Sequence, residues 1–71
     1  SEFNAYVSGS QIVVSGVADG SAEIYNLSGA LVGKFAVDGE TVYGTENLAS
    51  GVYVVKVSDC YHSKLFKVVI R

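Results

Sequence analysis

Glycine recurs at positions 9, 16, 20, 29, 33, 39, 44 and 51, and this spacing constrains the fold more than any other feature of the chain. The intervals are shorter than the roughly 12–15 residues that an isolated helix needs to be even marginally stable in water. Between the glycines lie runs rich in valine and tyrosine, with thirteen Val and five Tyr in the 71 residues. β-Branched and aromatic side chains lose χ1 freedom in a helix and pack well on a pleated surface. Strand is therefore the expected local structure, with glycine marking turns. Ser8-Gly9-Ser10, Asp19-Gly20, Ser28-Gly29 and Asp38-Gly39 each separate two apolar runs. Asp-Gly in that setting is a strong hairpin signal, because both residues tolerate positive φ.

The pattern predicts about seven short strands, at 3–7, 11–16, 21–27, 30–37, 40–44, 52–58 and 63–70. Thr45 to Ser50 reads as a turn, or a single 3₁₀ turn, closing at Gly51. Short strands with a turn signal between each suggest an all-β sandwich or a small barrel. Period-two alternation assigns some faces. Ala22 and Ile24 point inward against Glu23 and Tyr25. Tyr53, Val55 and Val57 share one face, and Phe66, Val68 and Ile70 share another that excludes Lys67. The final hairpin, turning at Asp59-Cys60-Tyr61-His62 with Asp59 bonding the turn backbone, is expected to be the most regular part.

With 49% apolar and 17% charged residues the chain can bury one core, and its length allows a single domain, residues 1–71. The lack of a starting Met reads as a segment of a larger protein, and Ser1 to Phe3 as residues added ahead of the domain. No signal peptide precedes the first strand. A net charge of −2 argues against nucleic acid as a partner, and no apolar run is long enough for a membrane span. The charge is unevenly placed. Residues 1–40 carry one cation against five acids, and residues 41–71 carry four cations against two acids. Lys64, Lys67 and Arg71 stand together with no acid beyond Asp59. They suit either a solvated edge strand that resists aggregation or a basic tag contacted by a partner. Apolar edges also allow a weak dimer by strand pairing or swapping.

Chemistry-bearing residues are few. His62 is the lone histidine and Cys60 the lone cysteine, two residues apart across a predicted turn. No orienting third group or oxyanion loop accompanies them, so no catalytic residue is assigned and the chain is not expected to be an enzyme. Asp59, Cys60 and His62 fall short of the four ligands zinc prefers, and no metal or other cofactor is expected. Ser28-Gly29-Ala30-Leu31-Val32-Gly33 lacks the Lys-Ser/Thr and the helix of a phosphate loop. Tyr25, Tyr43 and Tyr61 raise the alternative of a carbohydrate-adhesive module or an accessory spacer of a surface protein.

Three segments, in order, carry a resemblance. They are Ala22-Glu23-Ile24-Tyr25-Asn26-Leu27-Ser28-Gly29-Ala30-Leu31-Val32; Asn47-Leu48-Ala49-Ser50-Gly51-Val52-Tyr53-Val54-Val55-Lys56-Val57; and Lys64-Leu65-Phe66-Lys67-Val68-Val69-Ile70-Arg71. Together they resemble the C-terminal sorting domain of the type IX (Por) secretion system. The chain departs from that family in lacking the Asn-Pro of the opening strand and the Asn-Gly of the last hairpin. The resemblance implies an Ig-like antiparallel β-sandwich that catalyses nothing. It implies recognition of a larger cargo by outer-membrane secretion machinery after the cargo reaches the periplasm. It further implies a surface peptidase as a possible partner that removes the domain, and a cargo that is secreted or held on the bacterial cell surface. The residues it points to for partner binding are Lys67, Val68, Val69, Ile70 and Arg71. Gly51 and Tyr53 match the family's Gly-hydrophobic-Tyr strand and are expected to be structural, a positive-φ turn and a core filler.

Overall fold

Alternating strands do form, but the described residues make five of them. The computed structural model describes residues 3–71. It contains β1 (Asn4–Ser8), β2 (Gln11–Tyr25), β3 (Leu31–Gly44), β4 (Gly51–Asp59) and β5 (Ser63–Ile70). Every pairing is antiparallel. The sheet runs β1-β2-β4-β5, with β3 also paired to β2. The all-β class holds, and the expected count of seven strands is corrected to five.

The correction has a local cause. The strands expected at 11–16 and 21–27 are one continuous β2, and those expected at 30–37 and 40–44 are one β3. Asp19-Gly20 and Asp38-Gly39 do not reverse the chain. They lie in strands whose register slips between Val14 and Val17 and again between Val17 and Gly20. Gly16 (φ 84) and Gly39 (φ 73) supply the positive φ at these irregularities. An extra residue in one strand of an antiparallel pair bends that strand and increases its twist. The same chemistry that reads as a turn therefore makes a corner in an unbroken strand.

β2 changes partners across its corner. Residues 11–14 pair with β1 and the end of β3, whereas residues 20–25 pair with the start of β3 and with β4. The sheet folds over itself, and the inner faces of its two halves supply one core, as in a sandwich. Ile12, Val14 and Val17 from the first half meet Ala22, Ile24, Val55, Val57, Val68 and Ile70 from the second. Phe3 is buried in the same cluster. On one flank Phe35 stacks on Tyr43, with ring centroids 4.7 Å apart. On the other flank β1 packs against β5 without forming a ladder.

Short-range hydrogen bonds fix the connections. Gly9 (φ 61) and Ser10 make the two-residue link between β1 and β2. In the β2–β3 loop, Asn26 Oδ1 accepts from the Ser28 and Ala30 amides at 3.1 and 3.0 Å and from Ser28 Oγ at 2.8 Å. Thr45 is buried, and its amide and hydroxyl both donate to the Ser10 carbonyl at 2.9 Å, tying the end of β3 to the first turn. The Thr45–Ser50 segment is a turn, in which the Leu48 amide donates to Thr45 O at 3.0 Å.

Candidate functional site

The last hairpin is built from the residues with the plainest alternation. β4 and β5 pair without a register shift from Gly51↔Ile70 to Ser58↔Ser63. Tyr53, Val55 and Val57 of β4 and Val68 and Ile70 of β5 are buried on the inner face, with Phe66 partly buried beside them. Lys64 lies over the Phe66 ring, 5.5 Å from its centroid. The inward faces expected from alternation at Ala22 and Ile24, and at both strands of this hairpin, are those observed.

Two features lock the hairpin at its ends. At the tip, Asp59 Oδ1 accepts from the Tyr61 and His62 amides at 2.8 and 2.7 Å, while the Asp59 amide donates to His62 O at 2.9 Å. This is the side-chain turn bond expected of Asp59. The two amides, and a smaller contribution from nearby His62, hold the Asp59 carboxyl below its ordinary value of 3.8. A depressed folded pKa means that the carboxylate stabilises the tip fully above the unfolded value and loses that effect as pH falls through the folded one. The Tyr61 and His62 amide resonances should therefore move together in an acid titration with a midpoint under 3.8, and Asp59→Asn should abolish the transition. A midpoint above 3.8 would contradict the capping role.

At the other end, Gly51 takes φ 154, a conformation that side-chain-bearing residues rarely adopt. Tyr53 is buried and donates its hydroxyl to Ala49 O at 2.6 Å, fastening β4 to the turn before it. Tyr53→Phe should cost about 1 kcal/mol, the usual net value of such a bond. Chemical denaturation of the variant measures it, and an unchanged midpoint would show that the hydroxyl contributes nothing.

The five tail residues do not share one environment. Val68 and Ile70 are core, each 5% exposed, whereas Lys67, Val69 and Arg71 are exposed. Leu65 is exposed too, at 65%. β5 thus presents Leu65, Lys67 and Val69 outward, with Arg71 exposed beyond them, alternating apolar and cationic. Among the described residues it is an edge strand, paired with β4 alone. Alternation already sets Leu65 on the face of Lys67 and Val69, but it was not among the residues expected to bind a partner.

Cations elsewhere on the sheet are differently placed. Glu23 on β2 sits between Lys34 of β3 and Lys56 of β4 in register. Its Oε2 lies 3.9 Å from Lys34 Nζ, and its Oε1 accepts from the Tyr25 hydroxyl at 2.8 Å. That hydrogen bond chiefly, then partial desolvation and the carboxylate's charge, raises the Tyr25 pKa above its ordinary value. Lys67 faces Val54 across the ladder. Among the described residues no carboxylate side chain forms an ion pair with Lys67 or Arg71.

The tyrosines expected to offer a sugar platform are scattered. Tyr25 is half-buried with its hydroxyl engaged, and Tyr43 is stacked on Phe35. Tyr61 is exposed on the hairpin tip. Cys60 is exposed on the same tip, and His62 Nδ1 lies 3.9 Å from Asp59 Oδ1. Among the described residues no three His, Cys, Asp or Glu side chains gather as metal ligands, and no helix is long and apolar enough to cross a membrane. An open depression of about 440 Å³ lies at the bulged corner, bordered by Glu40, Asp59 and backbone around Gly16 and Gly39.

A family model for the secretion system C-terminal sorting domain matches residues 6–71, from the middle of β1 through the whole of β5. No curated protein and no solved structure matches the chain.

Proposed function

The chain belongs to the C-terminal sorting domains of the type IX secretion system, and from that membership we propose that it directs a larger cargo across a bacterial outer membrane and is itself non-catalytic. Membership establishes a sorting signal for that system, and with it engagement of the secretion machinery and export to the cell surface or beyond. The cargo, the periplasmic stage and removal by a surface peptidase belong to the proposal.

One observation carries the reading onto this chain's residues. β5 is an edge strand whose core face is satisfied by Val68 and Ile70 and whose other face displays Leu65, Lys67 and Val69, followed by exposed Arg71. A rigid sheet that fixes an exposed strand gives a partner a recognition element whose ordering entropy has already been met by folding. Val68 and Ile70 act by holding that strand in register, and Lys67, Val69 and Arg71 make the contact.

The test is a graft. The whole chain is fused behind a folded, unrelated passenger bearing a signal peptide, in a bacterium with a working type IX system. The passenger should reach the surface or the medium, and the ungrafted passenger should stay in the periplasm. Retention of the grafted passenger, with the domain folded, would refute the proposal.

A further inference from the structure

The free side of β5 suggests what kind of partner reads it. Four observations bear on the question. First, among the described residues β5 pairs with β4 on one side and forms no ladder on the other, where β1 packs nearby without pairing. A strand with one unpaired side presents a row of backbone donors and acceptors that another extended chain can use. Second, the outward residues alternate in a fixed order, Leu65, Lys67, Val69, with Arg71 next in sequence. Third, among the described residues no carboxylate side chain pairs with these cations, whereas Lys34 is paired with Glu23 and Lys56 lies opposite it in register. Fourth, Lys64, Lys67 and Arg71 stand on or beside β5 with no acid among residues 63–71. Two copies of β5 laid side by side would bring their like charges close together, which is destabilising where they lie directly opposite.

We infer that the open edge of β5 takes up an extended peptide strand from the partner, one whose outer face alternates apolar residues with carboxylates. Apolar residues of the incoming strand would lie against Leu65 and Val69, and carboxylates against Lys67 and Arg71. Main-chain hydrogen bonds would supply much of the affinity and the side-chain alternation the register, as in other strand-addition complexes. The inference deepens the sorting reading and rests on it for the partner's identity.

The probe is a synthetic peptide of repeating Val-Thr-Glu-Thr, titrated into the isotope-labelled 71-residue chain. NMR should show shifts and slowed hydrogen exchange concentrated in β5 amides. Added salt should weaken binding, since exposed charges are screened. Lys67→Glu with Arg71→Glu should weaken it about tenfold or more, because like charges then oppose. A peptide of repeating Val-Thr-Lys-Thr should recover binding to that double variant. Both substitutions are at exposed positions, and circular dichroism of the double variant should match that of the unaltered chain.

Absence of binding, shifts centred away from β5, or failure of the charge swap to recover affinity would each overturn the inference. Binding of β5 to phosphatidylglycerol vesicles without binding of the peptide would overturn it in favour of an anionic membrane surface. If peptide capture fails while export still depends on Lys67 and Arg71, the sorting reading survives and strand addition falls. If capture succeeds while export is indifferent to those residues, sorting through β5 falls instead.

Discussion

Gly20→Ala is expected to destabilise the domain by about 3 kcal/mol or more, at the upper end of the cost of overpacking a close contact. A Cβ built on Gly20 would clash with the Ser58 carbonyl oxygen and stand 2.8 Å from Val17 Cγ1. The first of these atoms is backbone in the neighbouring strand and cannot swing aside as a side chain can. Relief requires β2 and β4 to move apart at the corner where β2 leaves one half of the fold for the other. In a domain of this size each kcal/mol shifts the melting temperature by roughly 4–8 °C, so a fall on the order of 15 °C should be seen by calorimetry. Gly29→Ala is the comparison. A Cβ there meets nothing within 4 Å and only the positive φ of 90 is penalised, at about 1–2 kcal/mol. Equal effects at the two sites would mean that Gly20 is not a close-approach glycine.

The second large effect separates two neighbours in the tail. Val68→Asp should cost about 4 kcal/mol or more and leave little folded protein, because it places a carboxylate in the apolar core without a partner. Val68 is 5% exposed and sits opposite Tyr53. Val69→Asp should cost about 1 kcal/mol or less, since Val69 is 47% exposed and faces solvent beyond Val52. Urea denaturation of the pair measures both. A domain that tolerated Val68→Asp, or collapsed with Val69→Asp, would show that the β5 faces are reversed.

The same split changes how the tail should be probed. Deleting Lys67 to Arg71 removes Val68 and Ile70 together with the exposed residues, so such a truncation damages the core. Lost export would then report unfolding as readily as lost recognition. Substitutions confined to Lys67, Val69 and Arg71 avoid that ambiguity.

What could be read from the residues alone followed from how local each feature is. The all-β class and the inward faces of Ala22, Ile24, Tyr53, Val55, Val57, Val68 and Ile70 were legible, because alternation is set by the pleat and needs no knowledge of partners. The Asp59 cap was legible because an Asx turn is complete within a few residues. The strand count was not legible. Asp19-Gly20 and Asp38-Gly39 carry the chemistry of a hairpin turn. Whether such a pair reverses the chain or bends a continuous strand depends on which strands lie alongside, and those neighbours come from distant sequence. For the candidate site, alternation assigned Val68 and Ile70 to the core, while family resemblance gathered all five tail residues as contacts. The structure buries Val68 and Ile70 and leaves Lys67, Val69 and Arg71 exposed. Leu65 joins the outer face, and its significance emerged only once β5 was placed at the sheet edge.

Whether secretion machinery reads the exposed side of β5 is decided by surface display of a passenger fused to the Lys67→Glu/Arg71→Glu chain. The passenger should stay in the periplasm while the double variant keeps a melting temperature close to that of the unaltered domain. Full display of the passenger with both charges reversed would contradict it.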